Sequence, residues 1–462
     1  MADVTTPQAS ALAQPQFWTL DRIADALGAG PRGDVSRARI ATDTRSVGAG
    51  DAFVALKGES FDAHDFLANA VEKGAAALIV SDAARAKGLG VPVYAVRDTL
   101  EALGALGRHR RRAWAKPVIG VVGTNGKTST KELIRAALGG ALRVHATVGN
   151  YNNLVGVPLT LFALPDDADI AVIEMGTNQP GEVAALRAIV EPDIVVVTSI
   201  AEEHLEGLGD LAGVLREEVS ACDGVALAIV PASQPEILEA ARPLARRAMS
   251  AGLDSGDLQP DAWGVEPDGQ GWVRLDETRV RIPLRGVHNL RNAMLALAVA
   301  RERGVSMQDA ARSLAIMPAP PMRVHFEACG AATVINDAYN SNPGSARVAL
   351  ELLEHAGAGR QRVAVLGTML ELGVQADRLH DEVARAALAS PIELVVGVGA
   401  FADALARVAP GDARVVSGAE PDSAWRAVHS RLAPDAVILL KGSRGVRLER
   451  LIPVISEWAS AR

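Results

Sequence analysis

Apolar residues recur along the chain in short runs, separated by stretches with helical spacing. In segment 17–27, Leu20, Ile23, Ala24 and Leu27 fall on one helical face. The runs DAFVAL, AALIV and VYAV that follow read as buried strands. Residues 117–122 (PVIGVV) enter a glycine turn and then a helix, and further strands are predicted at 170–174 and 193–198. Strands that alternate with helical patterns imply a parallel sheet. Segment 251–285 is richer in Gly, Asp and Pro and alternates, which predicts an antiparallel excursion, with a helix at about 289–302. The proline cluster 318–321 breaks both helix and sheet and reads as a linker. Beyond it, strands are predicted at 333–336, 362–367, 394–398, 413–416 and 436–440, each followed by a helical pattern. The expectation is an α/β chain of three domains: a small mixed α/β N-terminal domain (17–112), a central P-loop parallel-sheet domain (113–318) and a Rossmann-like C-terminal domain (319–462), after a flexible tail at 1–16.

Composition narrows the class. With 49% hydrophobic and 22% charged residues among 462, the chain is globular. Aromatics are only 3%, so the core leans on Ala, Val, Leu and Ile. A net charge of −8 argues against a nucleic-acid partner. The basic cluster 108–112 (RHRRR) reads as a solvated helix end in preference to a polyanion contact. Cys222 and Cys329 lie far apart and outside any metal-ligand spacing, so neither a zinc site nor a disulfide framework is expected. No apolar run approaches the roughly 18 residues of a membrane span. The N-terminus lacks the pattern of a secretory signal, and a cytoplasmic location is expected.

The chemistry begins at Gly123, Thr124, Asn125, Gly126, Lys127, Thr128 and Ser129, which follow a buried strand and open a helix. That is the setting of a phosphate-binding loop: glycines let backbone N–H groups turn toward an anion, and the helix N-terminus adds partial positive charge. Lys127 can reach outer phosphates and Thr128 can ligate Mg²⁺. The full Walker pattern has glycine where this chain has Val121, so the loop is the shorter form. Glu174, at the end of its strand, offers a hard oxygen for Mg²⁺. His204, in AEEHLEGLGD, is a less natural magnesium ligand and reads by itself as a loop histidine.

These residues resemble the Mur ligase family, ATP-dependent amide ligases that build the peptide stem of peptidoglycan. The likeness runs through GTNGKTSTKE (123–132), GNYNNLVGVPLT (149–160), IEMGTNQPGE (173–182), HLEGLGDLAGV (204–214), GVHNLRNAMLA (286–296), INDAYNSNPGS (335–345), VLGTMLELG (365–373) and LLKGSRGVRLE (439–449), with TDTRSVGAGDAFVALKGESFDAHDF (42–66) in the first domain. The resemblance implies ATP and Mg²⁺, an acyl-phosphate intermediate, and UDP-N-acetylmuramoyl-tripeptide and D-alanyl-D-alanine as substrates of a monomeric enzyme. It gives Lys127, Glu174 and His204 catalytic roles, with Thr128, Glu174 and His204 on metal. It places Asn289 and Asn292 at the ATP base, and Arg323 and Asp337 on the nucleotide from the C-terminal domain. Tyr339, Asn340 and Asn342 fall toward the amine substrate or the domain junction, and Lys441, Ser443 and Arg444 toward a carboxylate of the incoming dipeptide. Asp43, Thr44, Arg45, Asp62 and His64 fall toward the uridine nucleotide, with Thr147, Asn150 and Asn153 facing the same substrate. A ligase that adds a single amino acid to another acceptor, and an ATP-binding paralogue without turnover, remain open alternatives.

The chain departs from the family pattern at four places. Glu218 stands where most members carry a carbamylated lysine, and it is a candidate metal ligand in the carbamate's stead. Thr198-Ser199 replaces Thr-Asn, PASQPE (231–236) replaces an Asn-x-Asp segment, and Gly367-Thr368-Met369 and Asp62-Ala63-His64 replace Gly-Asp-Met and Asp-Gly-His.

Overall fold

The computed structural model describes residues 12–58, 60–266, 269–318 and 322–461. Residues 1–11 of the expected tail, and 319–321 of the proline linker, lie outside the described residues. The last residues assigned to the tail are held: the side-chain amide of Gln14 donates to the Ile40 carbonyl at 2.9 Å and accepts from the Ile40 N–H at 3.1 Å. That pair extends the exposed edge of the first sheet, so the flexible reading does not apply to Gln14. The sheet has four parallel strands, in the order Ile40–Ala41, Ala52–Val54, Ala77–Val80 and Val93–Ala95.

The central sheet has six parallel strands. Val118–Val122 lies in its middle, between Ile194–Val197 and Ile170–Glu174. The chain after Val118–Val122 moves outward to one side and then returns to the other. The crevice at the carboxyl ends of these three strands is therefore a topological switch point, where parallel sheets take ligands. Three strands, Val144–Ala146, Leu227–Pro231 and Ala248–Ala251, were not anticipated; two of them form the sheet's edges. The excursion at 251–285 is a three-stranded antiparallel sheet, Ala262–Val265, Gln270–Leu275 and Thr278–Arg285. Helix Val287–Glu302, with a buried run from Ala293 to Ala300, packs on the phosphate-loop helix Lys127–Gly139.

The C-terminal sheet is ordered His325–Cys329, Ala332–Asp337, Val437–Lys441, Arg362–Gly367, Leu394–Val398 and Val415–Gly418. Only the first pair is antiparallel.

Helix Thr99–Trp114 runs through the anticipated boundary at 112, and its basic cluster is not solvated throughout. Arg110 and Arg111 are only 3% and 8% exposed. Arg110 donates to the Leu164 carbonyl and to Asp166, and Arg111 donates to the Val190 and Glu191 carbonyls at 2.9 and 3.0 Å. These carbonyls close two central-domain helices, where unpaired C=O groups and the helix dipole favour a cation. Trp18, Leu103 and Leu106 share one apolar cluster with Phe162, which joins the first domain's core to the second.

Candidate active site

The phosphate loop is built by strand Val118–Val122, the turn 123–126 and helix Lys127–Gly139. Gly126 has φ +84°, a backbone state that L side chains avoid. A Cβ there would also fall 2.9 Å from the Asn292 amide, so glycine is what lets the second helix approach. Thr198 and Ser199 brace the loop from the neighbouring strand. The Thr198 hydroxyl donates to the Asn125 carbonyl at 2.6 Å, and Ser199 Oγ accepts from the Asn125 N–H at 3.1 Å. Gln234 clasps Ile200, accepting its N–H at 2.9 Å and donating to its carbonyl at 2.8 Å. Two of the sequence departures are thus supports of the loop.

Lys127 folds back over the loop and donates to the carbonyls of Gly123 and Thr124. Thr128 Oγ1 donates to Glu174 Oε2 at 2.9 Å, while Asn152 Nδ2 donates to Glu174 Oε1 at 2.9 Å. Glu218 is buried, and its Oε2 accepts from the Gly123 N–H at 2.8 Å. Burial pushes its carboxyl above the ordinary range, opposed by the nearby Lys127 ammonium and the Gly123 N–H. Its neighbour Glu217 faces elsewhere, accepting from the N–H groups of Gly181 and Val183 at 2.8 Å.

The C-terminal domain closes the other wall. Asn340 Nδ2 donates to Glu203 Oε1 at 2.6 Å, and His204 Nδ1 meets Glu371 Oε2 at 2.5 Å. Burial lowers the His204 pKa, but the hydrogen bond it donates to Glu371 and the charges of Glu203 and Glu371 outweigh it and leave it raised. The guanidinium of Arg323 stacks 4.2 Å from the Tyr339 ring centre, with Arg444 at 5.8 Å. Together these walls enclose a cavity of about 870 Å³, floored by Thr124–Ser129 and bordered by Glu174, Glu203, His288 and Asp337.

The donor set fits a nucleotide with a hard divalent cation. Glu203 Oε2 is buried with no hydrogen-bond partner. Thr128 and Glu174 supply oxygens beside a loop of turned N–H groups. One carboxylate and one hydroxyl beside a phosphate loop suit Mg²⁺, which commonly uses one or two carboxylates and completes its shell with phosphates and water.

Three family descriptions match in succession: "Mur ligase family, catalytic domain" over residues 38–111, "Mur ligase middle domain" over 121–300 and "Mur ligase, glutamate ligase domain" over 322–444. The UDP-N-acetylmuramoyl-tripeptide–D-alanyl-D-alanine ligase of Bacillus subtilis (strain 168) is 33% identical over 90% of this chain and 93% of its own. The chain belongs to the Mur ligase family. The enzyme of the same name from Escherichia coli (strain K12) is also 33% identical, over 95% of this chain and 98% of its own. Among solved structures, MurF from Acinetobacter baumannii superposes with a TM-score of 0.87 at 31% identity, covering 96% of this chain and all (100%) of that one. MurF ligase from Thermotoga maritima in complex with ADP gives 0.82 at 25% identity, covering 92% and 98%.

In this Mur ligase several residues anticipated as substrate contacts already have internal partners. Thr147 is buried behind Glu174, and its Oγ1 accepts the Glu174 N–H at 2.9 Å. Asn153 Oδ1 accepts the Val155 and Gly156 N–H groups, and both Asn150 and Asn153 line the cavity. His64 is buried: its Nδ1 donates to Asp62 at 2.6 Å and its Nε2 accepts the Ser81 N–H at 3.0 Å. Asp43 and Arg45 pair with each other on an exposed loop, and the Thr44 carbonyl accepts from Lys73. Lys441 lines the cavity, but its ammonium is held by Asp337 at 2.9 Å and by the Asn340 carbonyl. Ser443 Oγ accepts the Leu370 N–H at 3.0 Å, and Thr368 Oγ1 accepts the Ala400 N–H at 3.0 Å. Asn289 is a buried first-turn residue donating to the Arg285 carbonyl at 2.8 Å. Asn152, Glu203 and His288 escaped the sequence reading as site residues. Each abuts a residue already singled out, which is the signal that would have found them.

Proposed function

We propose that this Mur ligase uses ATP to join D-alanyl-D-alanine to UDP-N-acetylmuramoyl-tripeptide, in the cytoplasm, with release of ADP and phosphate. The tripeptide carboxylate takes the terminal phosphoryl group, giving an acyl phosphate. The dipeptide amine attacks its carbonyl carbon. The C–N bond forms, the C–O bond to phosphate breaks, and the amine's extra protons pass to solvent. Phosphoryl transfer asks mainly for positioning and charge stabilisation. The loop N–H groups and helix Lys127–Gly139 receive the phosphates, and Lys127 exchanges its two loop carbonyls for the terminal phosphate. Thr128 and Glu174 would hold Mg²⁺; Glu203 and His204 line the same cavity, and the buried Glu218 lies behind the loop near Lys127. Bound Mg²⁺ neutralises phosphate charge. Asn292 and Asn289 border the base, and Arg323 approaches the phosphates from the C-terminal domain. Because Lys441 is paired with Asp337, the dipeptide carboxylate is assigned to Arg444, which lies over the Tyr339 ring and donates to the Met322 sulfur. The first domain (17–112) takes the uridine nucleotide, the second (113–318) ATP and the third (319–462) the amine.

The observation that carries this reading is the Thr128–Glu174 pair at the mouth of the phosphate loop, inside a cavity walled by both larger domains. The test is phosphate release by purified protein with ATP and Mg²⁺, with each substrate omitted in turn. Release that requires both the UDP-tripeptide and D-alanyl-D-alanine supports the reading. Equal release with glutamate or a diamino acid as the amine overturns the dipeptide assignment.

A further inference from the structure

Two asparagines of segment 339–342 reach from the C-terminal domain into the nucleotide site. Asn342 Nδ2 donates to Asn125 Oδ1 at 2.8 Å, and Asn125 Nδ2 donates back to Asn342 Oδ1 at 3.3 Å. Both residues are held in place by further bonds. Asn125 sits in the phosphate loop, with its N–H on Ser199 Oγ and its carbonyl taken by the Thr198 and Ser199 hydroxyls. Asn342 is buried and caps helix Pro343–Ala356, its Oδ1 accepting the Ser345 N–H at 2.9 Å, and Ser345 Oγ returns to the Asn342 N–H at 3.1 Å. An amide oxygen has two lone pairs, and Asn342 spends both, one on the cap and one on Asn125. A Cβ added at Gly344 would lie 3.5 Å from the Ala201 Cβ, so the backbone after the cap also rests on the central domain. Two residues before the cap, Asn340 holds Glu203.

We propose that the side chains of Asn125 and Asn342 form a positioning pair, which seats the C-terminal domain on the phosphate loop, their amides spent on each other and not on nucleotide or amine. Seating at this point sets Asn340 against Glu203 and brings Tyr339, with its two stacked guanidinium groups, over the cavity. The pair thereby registers the amine-carrying domain against the phosphoryl group. Of the two places that the family resemblance implies for Asn342, this takes the domain junction and not the amine substrate, and it names Asn125 as the partner there. It rests on the ATP-ligase reading for its kinetic consequences, though not for its structural one.

The test uses the full chain carrying Asn125→Ala, Asn342→Asp or both. Aspartate keeps the capping oxygen for Ser345 and so preserves the helix, but it has no amide donor for Asn125. Each single variant is expected to lower kcat about tenfold, the scale of one side-chain coupling, with amine KM changed less than about twofold. The double variant is expected to be no slower than the worse single. In small-angle scattering without substrates, both singles should show a larger radius of gyration than the parent. A raised amine KM at unchanged kcat would make Asn342 a substrate contact and overturn the proposal. So would losses that multiply in the double variant, or scattering identical to the parent. If the parent chain itself fails to ligate, the functional reading has failed, while the scattering still decides whether the pair holds the domains together.

Discussion

Glu218 lends itself to a decisive perturbation, because its two functions separate by isostere. It accepts the Gly123 N–H at 2.8 Å inside a buried environment, and it places a carboxylate near Lys127. Glu218→Ala removes a charge-assisted hydrogen bond, a loss of about 1.5–3 kcal/mol, and leaves the Gly123 N–H unpaired. The vacated volume adds to this, for a total of about 3 kcal/mol. For a domain of about 200 residues each kcal/mol moves Tm by about 2–4 °C, so Tm should fall by about 6–12 °C. Glu218→Gln keeps an acceptor of the same shape and should lower Tm by no more than about 3 °C. The Gln variant isolates the charge. If the carboxylate supports metal binding, kcat for phosphate release should drop at least about tenfold, and half-maximal activity should need more Mg²⁺. Differential scanning fluorimetry and a Mg²⁺ titration of phosphate release read the two effects. An Ala variant with parental Tm and parental Mg²⁺ dependence would refute both arms.

Lys127→Ala should abolish ligation while moving Tm by less than about 2 °C, because its ammonium bonds only carbonyls of its own loop; ADP formation and fluorimetry check the two halves. Gly126→Ala forces a side chain into a left-handed backbone and onto the Asn292 amide, a strain of about 1–3 kcal/mol. It should weaken binding of a fluorescent ATP analogue. Arg111→Ala strips two buried carbonyls of their cation and should cost about 2–3 kcal/mol, measured by urea unfolding. Were the basic cluster only solvated, the change would be near zero. His288, enclosed at the domain junction, is pushed down by burial to about 4 from an ordinary 6.5. The unfolded chain therefore binds more protons between those values, so this group's contribution to stability is full above pH 6.5 and declines as pH falls toward 4. Its imidazole NMR signals should show no titration between pH 6 and 8.

The architecture was legible where apolar runs were long. Val118–Val122, Ile170–Glu174 and Ile194–Val197 are buried on both faces, and so they stand out as continuous Val/Ile runs. The edge strands were not: Val144–Ala146 and Ala248–Ala251 are short and partly exposed, and His325–Cys329 carries a histidine and a glutamate. The phosphate loop was readable because its chemistry lies in consecutive residues. The partners of Glu174 and Glu203 lie across the sheet or across a domain junction, which spacing along one chain does not encode. Side chains that looked like binding groups, among them His64, Thr147 and Lys441, prove to satisfy buried backbone or charge. From sequence alone, a polar residue next to a motif looks the same whether it faces ligand or neighbour. The Arg110–Arg111 reading failed for the same reason, since the carbonyls that bury those guanidinium groups lie 54 and 79 residues away.

That arginine clasp fixes how the first domain sits on the second. It ties the two through the ends of two central-domain helices, whereas the third domain meets the second through amide and carboxylate contacts at the phosphate loop and through an apolar cluster that holds Leu205, Leu208, Met369 and Leu372. The distance from the first domain's outer face to the phosphate loop is therefore set by two guanidinium groups, and the pair of domains has the build of a caliper.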